Sequence, residues 1–190
     1  MAELRRPMLI VLDRDGTLIR HVPYLCDPAQ VELLPGVRSG LARLREAGCK
    51  IYLHTNQSGV GRGYFPLEAA LRCNDEMIRQ LGLGEQVFDG ICVCPEAPDN
   101  GTGYRKPSSR FGLELLARHA LAFEAMCYVG DNLSDLMTAN AIGCRGIGVG
   151  TGVHDLTMEL ERAGLAGRFT VCASFDDVTA CLLGTVGAPA

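Results

Sequence analysis

The stretch MLIVLDRDGT, residues 8–17, decides the fold class because an uninterrupted apolar run ends abruptly in charged residues. Residues 8–12 show no strict alternation of apolar and polar side chains, which is typical of a strand buried on both faces of a parallel sheet. Asp13 and Asp15 follow where such a strand ends, and Gly16 permits a tight turn. The segment therefore predicts a buried strand that carries two carboxylates to one edge of a sheet.

Similar apolar runs recur along the chain and alternate with segments of helical periodicity. This alternation predicts an α/β fold, a single three-layer doubly wound parallel sheet of Rossmann-like type, with loops instead of a large cap domain. We expect the domain to span residues 1–184 and to be followed by a frayed tail at 185–190. The further predicted strands are 50–54, 86–94, 125–129, 145–149 and 169–173, and the predicted loops are 19–35 and 95–107. The predicted apolar helix faces comprise Val37, Leu41 and Leu44, then Leu67, Leu71, Ile78 and Leu81, then Phe111, Leu115 and Leu116, and finally Leu133, Leu136, Met137 and Ala141.

The composition is that of a soluble globular protein, with 47% hydrophobic residues among 190. Several of the nine cysteines lie in apolar runs, where a free thiol behaves as a small hydrophobe, and we expect a reducing, cytoplasmic setting. No apolar run reaches the roughly 18 residues needed to span a bilayer. The net charge of −4, without a basic stripe, argues against nucleic-acid and membrane partners. We expect a monomer.

Polar side chains follow each of the first four predicted strands. Asp13 and Asp15 come after the first, Thr55 ends the second, Lys106 follows the third across a loop, and Asp131 follows the fourth. In open α/β sheets, ligands bind beyond the carboxyl ends of the strands. Carboxylates, a hydroxyl and a cation at one edge are suited to phosphoryl transfer assisted by a hard divalent ion.

Each of these residues can be given a chemical role. A metal-bound Asp13 stays anionic and can attack phosphorus, whereas a protonated Asp15 can give its proton to the leaving alkoxide. Thr55 can hold phosphoryl oxygens, Lys106 can neutralise their charge, and Asp131 can bind Mg²⁺. Taken singly, Thr55 is equally well a plain turn residue, and Lys106 is more simply a solvated surface lysine. Asp135 either supports the metal site or faces solvent one turn into a helix.

The order of these motifs resembles the haloacid dehalogenase superfamily of phosphatases over nearly the whole chain. The resemblance narrows to the branch that contains the D-glycero-D-manno-heptose 1,7-bisphosphate 7-phosphatases and the histidinol-phosphate phosphatases. It implies Mg²⁺-dependent hydrolysis of a small phosphorylated sugar, the 7-phosphate of the heptose bisphosphate, through a phospho-aspartate. Histidinol phosphate or a broader range of small phosphomonoesters is the alternative, and a degenerate phosphate-binding module is a third. The segments that carry the resemblance are DRDGTLI from Asp13, the stretch from Tyr24 to Val37, TNQSGVGRGYF at 55–65, RKP at 105–107 and VGDNLSD at 129–135.

The resemblance also implies a set of site residues. Asp13, Asp15, Thr55 and Lys106 would be catalytic, and Mg²⁺ would bind Asp13, Asp131 and the backbone carbonyl of Asp15. Arg105 would recognise the rest of the substrate, including a second anion. The other implied substrate-binding residues are His21, Tyr24, Asn56, Gln57, Ser58 and Arg62.

One departure from the family concerns a structural Zn²⁺, which relatives hold with Cys-Pro-His and Cys-x-Cys on either side of a loop. Here the corresponding segments are Cys94-Pro95-Glu96 and Thr102-Gly103-Tyr104, so that Cys94 alone remains of the ligand set. Cys92 and Cys94 lie in an apolar strand, and we expect their thiols to point in different directions. We therefore expect no structural Zn²⁺.

Overall fold

A six-stranded sheet, parallel at every pairing, organises the residues that the computed structural model describes, 9–98 and 103–184. The predicted α/β class is therefore confirmed. Strands β1 and β4, far apart in sequence, are neighbours at the centre, and the sheet order is β3-β2-β1-β4-β5-β6. The strands are β1 (Leu9–Leu12), β2 (Lys50–Asn56), β3 (Gly90–Cys94), β4 (Met126–Gly130), β5 (Arg145–Val149) and β6 (Thr170–Cys172).

Helices cover both faces of the sheet and complete the predicted three layers. Apolar residues of α1, α3 and α7 pack on one face of the central strands. Those of α4, α5 and α6 pack on the other face. The helices are α1 (Val37–Glu46), α2 (Ser58–Gly61), α3 (Leu67–Leu81), α4 (Arg110–His119), α5 (Leu133–Ile142), α6 (Leu156–Arg162) and α7 (Phe175–Leu183), with 3₁₀ turns at Pro28–Gln30 and Phe123–Ala125.

The chain changes direction of winding between β1 and β4, and the crevice at their carboxyl ends is where open α/β sheets bind ligands. The backbone N–H of Asp13 donates to the carbonyl oxygen of Val129 at 2.9 Å, which holds the segment after β1 against the end of β4. The residues that follow the two strands therefore meet at one place.

The third strand is shorter than the predicted 86–94 and begins at Gly90. The carboxylate of Asp89 accepts a hydrogen bond from the backbone N–H of Ile51 at 2.8 Å and pairs with Arg45 at 2.8 Å. A side chain thus takes the place of a ladder hydrogen bond, and regular pairing starts one residue later, at Tyr52 and Gly90.

The predicted apolar face of α3 is wrong in its first turns. Leu67 and Leu71 are exposed, whereas Ala70, Cys73 and Met77 are buried against the sheet. The predicted face rests on the large aliphatic residues, whereas small residues form much of the buried face. Helix α2 lies within the motif at 55–65, and the sequence analysis predicts no helix for the segments that form α6 and α7.

Some expectations lie outside the described residues, namely the frayed tail at 185–190 and the loop residues 99–102, which include Thr102. All nine cysteines are within the described part of the chain, and they form no disulfides there. No helix of the described residues is long and apolar enough to cross a bilayer.

Candidate active site

A cleft of about 280 Å³ opens at the carboxyl ends of β1, β2 and β4. It gathers residues that follow different strands, as the strand-end argument predicted. Thr55 is not among its lining residues. The cleft is lined by Asp13, Asp15, His21, Asn56, Ser58, Arg105, Lys106, Asp131, Asn132, Ser134, Val153 and His154.

Lys106 lies at the base of the cleft and bridges two carboxylates. Its Nζ is 2.6 Å from Asp13 Oδ1 and 2.6 Å from Asp135 Oδ1, and the residue is only 3% exposed. Burial alone lowers the pKa of this amine, but the charges of Asp13 and Asp135 outweigh burial and hold the pKa above its ordinary value. Lys106 is therefore a fixed buried cation and not a surface lysine.

Asp135 is buried and does not face solvent. It is 1% exposed, and its Oδ2 accepts from the backbone N–H of Asn132 at 3.2 Å. Asn132 in turn caps α5 by accepting from the N–H of Ser134 at 3.0 Å. This capping box points the other oxygen of Asp135 at Lys106.

Asp131 is held in a narrow space between two glycines. A Cβ atom at Gly16 or at Gly152 would overlap the Asp131 carboxylate, so both positions require the absence of a side chain. The hydroxyl of Thr17 donates to Asp131 Oδ1 at 3.3 Å, and the hydroxyl of Thr151 donates to the carbonyl of Gly16 at 2.6 Å. The position of Asp131 is thus determined by packing.

Asp13, Asp131 and Asp135 form a group of carboxylates whose ligand atoms lie within 4.8 Å of one another. Burial, followed by the charges of the other two aspartates, raises the pKa of Asp131. Burial also raises the pKa of Asp135, despite the opposing charge of Lys106. Concentrated negative charge with one cation is the electrostatic setting in which a hard divalent ion binds oxygen ligands.

Asp15 lines the same cleft but does not belong to this carboxylate group. Its Oδ2 accepts from Gln57 Nε2 at 2.9 Å, and it forms a salt bridge with Arg14 at 3.0 Å. Gln57 Nε2 also donates to the hydroxyl of Thr55 at 2.8 Å. Thr55, which is buried, is therefore linked to Asp15 through Gln57 by two hydrogen bonds.

Asn56 holds the segment that carries Lys106. Its Nδ2 donates to the Lys106 carbonyl at 3.2 Å, and its Oδ1 accepts from the Lys106 N–H at 3.1 Å. The guanidinium of Arg105 donates to the Glu96 carbonyl at 3.2 Å and also lines the cleft. The amide of Asn56 thus holds the backbone of Lys106, and Asn56 also lines the cleft; the contact with substrate that the resemblance implies stays a prediction.

A second cavity of about 310 Å³ adjoins the cleft and shares Asp15, His21, Asn56 and Ser58 with it. The predicted residues Tyr24 and Gln57 line this cavity, so the structure brings them to the same region. Arg62 is exposed and lines neither cavity. The residues that line the adjoining cavity are Asp15, His21, Val22, Pro23, Tyr24, Leu25, Asn56, Gln57, Ser58, Gly59 and Phe65.

Sequence reasoning missed one wall of the cleft, which Val153 and His154 form after β5. The same strand-end argument, continued to the fifth strand, would have led to the segment that begins at Gly150. Asn132 and Ser134 were also not assigned to the cleft.

The predicted orientation of Cys92 and Cys94 is wrong. Both belong to β3, and residues two apart in a strand share one face of the sheet. Burial and the neighbouring Cys94 raise the pKa of the Cys92 thiol to about 11. The Cys94 thiol donates to Glu96 Oε2 at 3.5 Å. Within residues 9–98 and 103–184, the group suited to a metal ion is the aspartate group and not these thiols.

The fold and the site together define a haloacid dehalogenase-like hydrolase, in which paired aspartates after β1 face a lysine and an acidic group at the ends of other strands. Residues 103–178 match the HAD-hydrolase-like family.

The full-length similarity is more specific. A D-glycero-beta-D-manno-heptose-1,7-bisphosphate 7-phosphatase of Bordetella bronchiseptica is 35% identical over 176 residues, which are 92% of this chain and 97% of that relative. A relative of the same name from Pseudomonas putida is 34% identical over 154 residues, 80% of this chain and 87% of that one. The chain belongs to the family of D-glycero-D-manno-heptose 1,7-bisphosphate 7-phosphatases, which are phosphomonoester hydrolases.

Solved structures agree with this assignment. The crystal structure of D,D-heptose 1,7-bisphosphate phosphatase from B. bronchiseptica, complexed with magnesium and phosphate, superimposes with a TM-score of 0.83 at 34% identity, covering 94% of this chain and 99% of that one. The corresponding enzyme of Burkholderia thailandensis gives a TM-score of 0.65 at 27% identity, covering 92% and 97% of the two chains.

Proposed function

We propose that this protein hydrolyses the 7-phosphate of D-glycero-D-manno-heptose 1,7-bisphosphate through a covalent phospho-aspartate on Asp13, in a Mg²⁺-dependent reaction. The observation that carries the proposal is the position of Asp13, whose carboxylate lies between the buried cation Lys106 and the acidic residues Asp131 and Asp135. The family assignment supports the substrate, and the magnesium and phosphate in the B. bronchiseptica structure support the cofactor and the bound anion.

The residues fit a divalent cation. Asp13 and Asp131 offer carboxylate oxygens close together. Burial first, and then the charges of Asp13 and Asp135, raise the pKa of Asp131, and a cation would compensate that negative charge. We propose that these two carboxylates and the backbone carbonyl of Asp15 hold Mg²⁺, with Asp135 supporting Lys106. When bound, the ion supplies positive charge next to the phosphoryl oxygens and keeps Asp13 anionic.

The first half-reaction transfers the phosphoryl group to the protein. An oxygen of Asp13 attacks phosphorus, the bond between phosphorus and the sugar oxygen breaks, and Asp15 gives a proton to that oxygen. Lys106 stabilises the charge that spreads over the transferring group. The Thr55 hydroxyl accepts from Gln57 and can donate its own hydrogen to a phosphoryl oxygen.

The second half-reaction regenerates the enzyme. Water attacks the phosphorus of the phospho-aspartate, Asp15 takes a proton from that water, and the bond between phosphorus and Asp13 breaks. Inorganic phosphate leaves, and Asp13 is again a free carboxylate. One carboxyl group thus serves as acid and then as base.

The lining of the cleft suits a sugar that carries a second phosphate. Arg105, His21, His154 and Ser58 line it together with the catalytic residues. The adjoining cavity, which Tyr24 lines, gives room for a sugar chain. The charge of Arg105 can attract the anion that remains on the sugar, while Lys106 neutralises the phosphate that is transferred.

Steady-state kinetics with several substrates test the proposed function. We expect the highest kcat/KM for the heptose 1,7-bisphosphate, with release of one phosphate and a requirement for Mg²⁺. A higher kcat/KM for histidinol phosphate, or equal values for many unrelated phosphomonoesters, would reassign the substrate.

The covalent step has its own test. We expect Asp13→Asn to abolish turnover while the circular dichroism spectrum stays unchanged, because the amide is neither a nucleophile nor an anionic ligand. Asp15→Asn should slow both half-reactions and allow phospho-enzyme to accumulate, which mass spectrometry of an acid-quenched reaction would detect. Activity of Asp13→Asn within tenfold of the parent enzyme would rule out the covalent mechanism.

A further inference from the structure

Arg14, between the paired aspartates, is the largest fully buried side chain among the described residues, with 0% exposure. Arginine is almost never fully buried unless it is paired, and a guanidinium has five N–H donors that each need a partner. Arg14 does not line the cleft. Its contacts therefore indicate what it does for the site.

The guanidinium of Arg14 donates hydrogen bonds to both carboxylate oxygens of Asp15. Its Nε lies 3.1 Å from Asp15 Oδ2, and its Nη2 lies 3.2 Å from Oδ1. This two-point contact sets the plane of the carboxyl group, which a single-point contact cannot do. Gln57 adds a third hydrogen bond to Oδ2 at 2.9 Å.

Helix α3 anchors the other end of the same guanidinium. Nη1 of Arg14 donates to Asn74 Oδ1 at 2.7 Å and lies 3.4 Å from the carbonyl oxygen of Ala70. Asn74 is itself buried, and its Nδ2 has no hydrogen-bond partner among the described residues. The buried Asn74 amide thus leaves its NH2 group without a partner among the described residues, while its oxygen accepts a hydrogen bond from Arg14.

We propose that Arg14, anchored by Asn74, is a positioning residue that aims the carboxyl group of Asp15 at the leaving oxygen of an alkyl phosphate. The inference rests on the proposed function, in which Asp15 is the general acid. A general acid acts within hydrogen-bond reach of its target, and a displacement of 1 Å costs about 100-fold in rate. Helix α3, which contributes nothing to the cleft lining, thus contributes to catalysis through one buried hydrogen-bonded chain.

The proposal implies a selective defect. A sugar alkoxide is a poor leaving group and needs the proton from Asp15, whereas 4-nitrophenolate is a good leaving group and departs without one. Loss of the anchor should therefore lower kcat/KM, which reports the first half-reaction, much more for an alkyl phosphate than for 4-nitrophenyl phosphate. The second half-reaction, in which Asp15 is the base, is the same for both substrates. A purely structural role would lower both activities by the same factor.

The experiment compares kcat and KM for two substrates, the alkyl phosphate that the parent enzyme hydrolyses fastest and 4-nitrophenyl phosphate. Two variants are compared with the parent enzyme. Arg14→Lys keeps the positive charge but cannot donate to both oxygens of Asp15. Asn74→Leu removes the side-chain acceptor on α3 and keeps Arg14. Asp15→Asn serves as the reference for complete loss of the acid. Thr179→Val, which removes a buried side-chain hydrogen bond on α7 far from the cleft, is the matched control.

We expect Arg14→Lys to lower kcat/KM for the alkyl phosphate at least about tenfold more than for the aryl phosphate, since a general acid contributes about 100-fold or more. Asn74→Leu should show the same selectivity to a smaller degree, and Thr179→Val should show none. If Arg14→Lys does not fold, the selectivity of Asn74→Leu between the two substrates tests the proposal.

Equal losses of kcat/KM for both substrates in Arg14→Lys and Asn74→Leu, alongside a selective loss of kcat/KM in Asp15→Asn, would overturn the positioning role and leave the proposed function intact. An unselective Asp15→Asn would instead remove the assigned role of Asp15, and the inference with it.

Discussion

At the scale of single residues, two neighbouring cations have different surroundings. Lys106 is buried against Asp13 and Asp135, whereas Arg105 lines the cleft and donates to a backbone carbonyl. In the proposed function, Lys106 stabilises the charge of the transferring group and Arg105 binds the rest of the substrate.

Substitution of these cations by methionine, which keeps most of the side-chain volume, should separate the two roles. Lys106→Met should lower kcat at least about 100-fold, a typical cost of one lost oxyanion-stabilising group. Arg105→Met should mainly raise KM for a bisphosphate and change the hydrolysis of a small monophosphate little. Thermal unfolding of both variants would show whether they are folded. An equal effect of Arg105→Met on both substrates would contradict this division.

Gly152 is a second residue whose role can be tested, because a Cβ atom there would overlap the Asp131 carboxylate. We expect Gly152→Ala to weaken Mg²⁺ binding at least about tenfold, the lower end of the cost of disturbing residues around metal ligands. Titration of activity with Mg²⁺ would measure it. Gly150→Ala is the matched control, since its Cβ would meet the Cys172 carbonyl oxygen at an ordinary 3.6 Å. Unchanged Mg²⁺ dependence in Gly152→Ala would refute the steric argument.

At the scale of elements, hydrogen bonds hold both ends of the segment between β3 and Lys106 against β2 and α2. The N–H of Gln57 donates to the Cys94 carbonyl at 2.6 Å, and that of Gly61 donates to the Pro95 carbonyl at 2.8 Å. At the other end, His54 Nε2 is 2.8 Å from the Tyr104 carbonyl oxygen. Burial and the charge of Lys106 lower the pKa of His54 to about 3, so the ring is neutral and donates from Nε2.

These contacts support the prediction that the segment needs no structural zinc. We expect purified protein to contain no stoichiometric Zn²⁺ and to retain Mg²⁺-dependent activity in a zinc-selective chelator, because hydrogen bonds from β2 and α2 already hold both ends. Elemental analysis and chelator-treated kinetics would measure this. About one zinc per chain, released in Cys94→Ser, is the result that would contradict it.

At the scale of the whole molecule, the aspartate group couples stability to pH and to metal. The pKa values of Asp131 and Asp135 are raised in the folded state, so between about pH 4, the ordinary carboxyl value, and those raised values the folded protein binds more protons than the unfolded one. The free energy of unfolding of metal-free protein therefore falls as pH rises through this range. A cation that binds the deprotonated carboxylates offsets the loss.

We accordingly expect Mg²⁺ to raise the thermal unfolding temperature more at pH 8 than at pH 5. A Mg²⁺ concentration of 100 times Kd would raise the free energy of unfolding by about 2.7 kcal/mol. Differential scanning calorimetry with and without Mg²⁺ would measure the difference, and Asp131→Asn should abolish most of it. A stabilisation by Mg²⁺ that is larger at pH 5 would show that these carboxylates are not the site.

The sequence by itself determined the fold class and the strand ends at which Asp13, Asp15, Lys106 and Asp131 lie. It could do so because buried parallel strands leave an apolar signature and because their carboxyl ends share one edge. These are local properties, readable within a few residues of each strand. The amphipathic face of α3 and the helices near the carboxyl end of the chain were less readable, since small residues and short segments give weak periodicity.

Only the tertiary structure decided which side chains act together. Lys106 forms a hydrogen bond with Asp135, which is 29 positions away in the sequence, and Arg14 forms one with Asn74, which is 60 positions away. The tertiary structure also linked Thr55 to Asp15 through Gln57, left Arg62 outside both cavities, and added His154 to the cleft. The physical reason is that burial and pairing depend on how helices pack on the sheet, and no single segment contains that information. The buried cations show this best, because each is tolerated only where distant elements supply its partners.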